Sequence, residues 1–101
     1  MALPASPPTV LTLSGELDVT NSPELRERLY QMVDEGHTDL VVDMSTVTFL
    51  DSSTLGVLIG VRNRLGEVDG TLQVVCDQER VLKVFRLTGL DQVFTIRASL
   101  D

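Results

Sequence analysis

An α/β fold, or an α+β sandwich with a partly parallel sheet, is what this chain predicts. Three observations lead there. Short apolar segments of strand length alternate with longer segments in which apolar residues recur at helical spacing. Serine, proline and glycine punctuate the boundaries where helices start and stop. The 101 residues suit a single hydrophobic core, with 43% hydrophobic and 23% charged residues.

The elements follow in order. Residues up to Pro8 are proline-rich and read as a loose leader, leaving one domain over 9–101. Val10-Leu11-Thr12-Leu13 alternates like a strand, Ser14-Gly15 interrupts it, and Glu16-Leu17-Asp18-Val19 reads as a second extended piece, giving a hairpin. Ser22-Pro23 signals a helix start, because serine is a good N-cap and proline fits the first helical position. Leu25, Leu29, Met32 and Val33 give that helix one apolar face, and Gly36 ends it. Asp39 to Met44 is a buried strand, and Val47 to Leu50 a second short one. A helix from about Ser53 to Leu65 places Leu55, Leu58, Ile59 and Leu65 at helical spacing. Thr71 to Cys76 is a strand, Gln78 to Thr88 a third helix closed by Gly89, and Val93 to Ile96 a short last strand.

Charge and composition exclude several functions. Fifteen acidic residues against eight basic ones give a net charge of −7. Such a surface repels nucleic acid and anionic membranes, and suits a basic protein partner. The single cysteine, Cys76, lies in an apolar strand, so a buried inert thiol is expected and a cysteine-based metal cluster is not. The start of the chain lacks the basic and apolar regions of a secretion signal, and Leu55 to Val61 is too short to span a bilayer. A cytoplasmic location is the expectation. Neither Gly-x-x-x-x-Gly-Lys-Ser/Thr nor Gly-x-Gly-x-x-Gly occurs, so no nucleotide cofactor is expected. His37, the only histidine, is expected at a helix C-terminus, away from the serines a hydrolase would need it to activate. Asp18, Asp43 and Asp51 close or follow strands, as the acids of a phospho-receiver do. They are not paired after the first strand, however, and the only lysine, Lys83, lies inside a helix. Asp43 and Asp51 could each satisfy turns and caps, and that reading is the simpler one for Asp43.

The segment Phe49-Leu50-Asp51-Ser52-Ser53-Thr54-Leu55-Gly56 carries the most information. A strand runs into an acid and three hydroxyls, and a helix follows. Free N–H groups and the positive end of the helix dipole at such a start can hold an anion. Either serine could serve as the helix N-cap, and a hydroxyl there is well placed to carry a phosphate.

This segment closely resembles the phospho-acceptor motif of the anti-sigma factor antagonists, small STAS-domain proteins. Leu13-Ser14-Gly15-Glu16-Leu17-Asp18 resembles the family's opening hairpin, Leu40 to Ser45 its central strand, and Leu87-Thr88-Gly89-Leu90-Asp91 with Val93-Phe94 its C-terminal end. The resemblance covers nearly the whole chain. It implies a small mixed sheet with helices mainly on one face, and a regulatory binding module in place of an enzyme. It further implies binding to an anti-sigma factor that is also a serine/threonine kinase, release of the sigma factor, phosphorylation on Ser52 (with Ser53 or Thr54 as the lesser candidates) and reset by a phosphatase. Asp18, Asp51, Ser53, Thr54, Leu55 and Gly56 would then form the docking face. Thr54 stands where the family commonly has glycine. The alternatives within the resemblance are a STAS subunit of a stress-sensing or lipid-transport assembly without a phosphate cycle, and a small nucleotide-binding module. A homodimer is left open.

Overall fold

The computed structural model describes residues 7–100; most of the expected leader, residues 1–6, lies outside the described residues. The elements are β1 (Thr9–Leu17), α1 (Ser22–Asp34), β2 (Asp39–Leu50), α2 (Ser52–Gly66), β3 (Thr71–Val75), α3 (Glu79–Leu87), a 3-10 turn (Leu90–Gln92) and β4 (Thr95–Arg97). The strands lie side by side in chain order, and each neighbouring pair is parallel.

That order fixes where the helices go. Each parallel pair needs a crossover, and right-handed crossovers that step the same way across a sheet put every helix on one face. The buried residues agree. Leu40, Val42 and Met44 of β2 and Leu72 and Val74 of β3 share one cluster with Leu29 of α1, Leu58 and Val61 of α2, and Val81 and Phe85 of α3. Val41 and Val75, on the opposite pleat, are buried outside that cluster. Phe94 closes the end of the core, meeting Phe85 edge to face at 6.0 Å.

The expected hairpin does not form. Thr9 to Leu17 is one strand, and Ser14-Gly15 is absorbed as an irregularity in its pairing with β2. Gly15 sits at φ +75, which glycine adopts without steric cost, and the register shifts on both sides of Ser14-Gly15. The two strands expected between Asp39 and Leu50 likewise fuse into β2. Across their junction the Asp43 carboxylate accepts from the Ser45 N–H at 3.0 Å and the Ser45 hydroxyl at 2.7 Å, and Thr46 Oγ1 donates to the Leu13 carbonyl. These bonds satisfy the bulged backbone locally, in keeping with a structural role for Asp43. The antiparallel component of the expected mixed sheet is therefore absent among the described residues.

Helix ends fall near the expected signals, but Ser22 is not the cap of α1: it is the first helical residue, Asn21 holds the cap position, and no side chain caps the helix among the described residues. Gly36, at φ +98, follows α1; its N–H reaches the Val33 carbonyl and the His37 N–H reaches that of Met32, the paired bonds of a Schellman stop. The last strand begins two residues later than expected, because Leu90–Gln92 first turns to deliver Phe94 to the core. No helix among the described residues is long and apolar enough to cross a membrane.

Candidate functional site

In a parallel sheet all strands end on the same side, so the β1–α1 loop and the β2–α2 junction meet there. The Asp51 N–H donates to the Leu17 carbonyl at 3.2 Å, which stitches the two together. His37 lies beyond the start of β2, twelve residues of strand away, on the order of 40 Å at a rise of ~3.3 Å per residue. Its Nδ1 sits 3.1 Å from the Thr9 hydroxyl. It has no access to the serines.

Asp51, and neither serine, is the N-cap of α2. Its backbone is extended, and one carboxylate oxygen accepts from the Ser53 N–H at 2.9 Å, the Thr54 N–H at 3.3 Å and the Ser53 hydroxyl at 2.5 Å. The Ser53 hydroxyl is the main cause that holds the Asp51 carboxyl below its ordinary range; the N–H groups of Thr54, Ser53 and Val19 add to it, against a smaller opposing effect of burial. Two of the helix N–H groups expected to be free for an anion, those of Ser53 and Thr54, are thus already engaged by an internal carboxylate.

The three hydroxyls that follow have different fates. Ser52 is exposed, and its hydroxyl has no hydrogen-bond partner among the described residues. Ser53 is half-buried and its hydroxyl is committed to Asp51. Thr54 is 0% exposed, and its Oγ1 is buried without a partner among the described residues. Thr54 offers no hydroxyl to a kinase in this conformation, and Leu55, at 5% exposure, faces the core as well. These two expected docking residues instead support the loop from beneath, since the third and fourth positions of a helix point back along its buried face. Gly56 is exposed, with open space where a Cβ would stand.

Asp18 does lie beside Asp51, as expected. Its carboxylate accepts from the Thr20 hydroxyl at 2.5 Å and the Thr20 N–H at 2.9 Å, and these bonds hold it below its ordinary range. The nearby negative charge of Asp51 opposes them. Asn21 ties the loop: its carbonyl oxygen accepts from the Asp18 N–H, and its amide donates to the Glu16 carbonyl. Sequence reasoning missed Asn21 and Thr20, although an Asp-x-Thr-Asn run is itself a signal for such side-chain turns. It also missed two apolar side chains at this end, Val19 at 66% and Phe49 at 47% exposure.

No cluster of three or more potential metal ligands occurs among the described residues. Cys76 is buried, and burial pushes its thiol up, which suits the expected inert role.

Comparison with known proteins agrees with this geometry. The STAS domain family profile matches residues 2–101. The anti-sigma-B factor antagonist of Bacillus subtilis is 33% identical over 91 residues, spanning 90% of this chain and 83% of that protein. An anti-sigma factor antagonist from Mycobacterium paratuberculosis superposes with a TM-score of 0.83 at 34% identity, over 91% of this chain and 78% of the other. The phosphorylated form of the Bacillus cell fate determinant SpoIIAA superposes with a TM-score of 0.69 at 25% identity, over 89% and 82%. The free hydroxyl after a capping aspartate thus stands on a recognised scaffold: the chain belongs to the STAS-domain family, among the anti-sigma factor antagonists.

Proposed function

We propose that this chain is the antagonist of a kinase-type anti-sigma factor, bound in its unphosphorylated form and switched off by phosphorylation of Ser52. One observation carries the choice of residue. Of the three hydroxyls at the start of α2, only that of Ser52 is both exposed and unengaged. A phosphorylated form is known for the relative SpoIIAA, which supports a phosphate cycle for this scaffold.

The chemistry asks little of this chain. The kinase supplies ATP; the Ser52 oxygen attacks the γ-phosphorus, the bond to the β-phosphate oxygen breaks, ADP leaves, and a base of the kinase takes the hydroxyl proton. The antagonist's part is to present the hydroxyl. Asp51 does this by capping the helix itself, which frees Ser52 from that duty. A phosphatase then hydrolyses the ester and restores the hydroxyl.

The charges explain release. A phosphoserine carries about −1.5 to −2 charges at neutral pH. It would stand beside Asp51 and Asp18, at a helix start whose Ser53 and Thr54 N–H groups are already taken. The new charge is therefore offset poorly within the chain and projects into the interface. An acidic face that had fitted a basic partner becomes too acidic and too bulky. A loss of ~1.4 kcal/mol already weakens binding tenfold.

The test is release of sigma factor. The chain is titrated into a preformed complex of a cognate kinase anti-sigma factor and its sigma factor, followed by gel filtration. Wild type and Ser52→Ala should free the sigma factor, and Ser52→Glu should not. Failure of the wild-type chain to bind any cognate anti-sigma factor would overturn the reading.

A further inference from the structure

The acceptor end holds two large apolar side chains that the fold leaves partly uncovered. The chain has only three phenylalanines and one tyrosine. Phe85 and Phe94 are buried against each other in the core, whereas Phe49 is left 47% exposed. It stands two residues before Asp51 on the outward pleat of β2, beside Glu16 of β1. Val19 is 66% exposed in the loop between Asp18 and Thr20. Turn positions of this kind ordinarily carry polar residues, and a valine there does nothing for the turn. Asp18 and Thr20 make the turn's hydrogen bonds through side chains on either side of it.

Both residues adjoin the acidic pair. The Leu17–Leu50 register pair joins the strand ends between them, and the Asp51 N–H bonds Leu17 across the same junction. Burying either side chain is favourable at roughly 25 cal/mol per Å² of apolar surface, and the fold leaves 47% of Phe49 and 66% of Val19 uncovered. Protein interfaces draw affinity from a few aromatic or aliphatic anchors ringed by polar groups.

We infer that Phe49 and Val19 are the apolar anchors of the antagonist, seated in a shallow apolar depression on the anti-sigma factor's docking surface beside the residue that receives Ser52. The inference rests on the function proposed above and names the partner's chemistry at that site. It separates two tasks. The anchors hold the complex by apolar burial, which salt does not screen. The acidic groups and the phosphate set the switch, and salt does screen them.

Isothermal titration of the cognate kinase anti-sigma factor with Phe49→Ala, Val19→Ser and Val68→Ser tests this. Val68 is an equally exposed apolar residue in the loop at the opposite end of the sheet. Phe49→Ala should weaken binding by about tenfold or more, Val19→Ser by a smaller factor, and Val68→Ser not at all. The ratio between wild type and Phe49→Ala should hold from low to high salt. Val19→Ser carries the test should Phe49→Ala lower the melting temperature, since Val19 lies outside any strand or helix. Wild-type affinity in both anchor variants would overturn the inference and leave the proposed function standing. Absence of binding by the wild-type chain would overturn both.

Discussion

Two helices start at the same end of this sheet, and each has a serine as its first residue. Ser22 opens α1 after Asn21, and Ser52 opens α2 after Asp51. In sequence the two look alike, a short polar residue followed by serine. In structure they are opposites. Asn21 makes no side-chain cap bond, because its amide is spent on Asp18 and Glu16, and Ser22 is only 6% exposed. Asp51 takes the whole cap on one oxygen, and Ser52 is left exposed. A serine becomes available for modification when its neighbour does the structural task it could have done itself.

Removing each serine breaks the comparison most sharply. Ser52→Ala should abolish phosphorylation by the cognate kinase and Ser22→Ala should leave its stoichiometry unchanged, as read by intact mass. The caps come next. Asp51→Ala removes the acceptor for two N–H groups and a hydroxyl, so its urea midpoint should fall. It should also release the Ser53 hydroxyl and let a second site be labelled. Thr54 gives an effect of opposite sign. Its buried, unpaired hydroxyl costs roughly 1–3 kcal/mol, so Thr54→Val should raise the Tm by several degrees. Thr54→Gly should give a lower Tm than Thr54→Val, since it removes the same hydroxyl but leaves a void and a more flexible backbone.

The smallest effect is in acid. Asp51 and Asp18 both titrate below the ordinary 3.8. A depressed carboxyl contributes stability above its unfolded pKa and loses it as pH falls through the folded one. Stability should therefore decline below about pH 4. Asp51→Asn retains a good capping residue and removes the titration, so its urea midpoint should depend less on pH in that range.

The helices, the single core and the acceptor segment were legible because their signals are local: spacing of leucines and valines, Gly36 and Gly89 as stops, an acid before serines at a strand end. The hairpin was misread for a reason equally local. Ser14-Gly15 has turn chemistry, and only the parallel partner β2 decides that Gly15 forms a bulge instead. The helix cap could be narrowed to Asp51, Ser52 or Ser53 and no further, since all three are good caps. Their burial depends on how α2 meets the sheet. For the same reason Thr54 reads as surface in the motif and lies in the core, as does Leu55, which the motif puts on the docking face and its helical spacing on the apolar one. The exposure of Phe49 was hidden by its strand context, where an aromatic residue is ordinarily inward.

Phosphopeptide mapping is the most direct test of the central claim, that Asp51 frees Ser52 alone among the three hydroxyls. The chain is incubated with its cognate kinase anti-sigma factor and MgATP, its intact mass is measured, and the product is digested and sequenced by mass spectrometry. The account predicts one phosphate, on Ser52. A phosphate on Ser53 or Thr54, or stable binding with no phosphate at all, would contradict it.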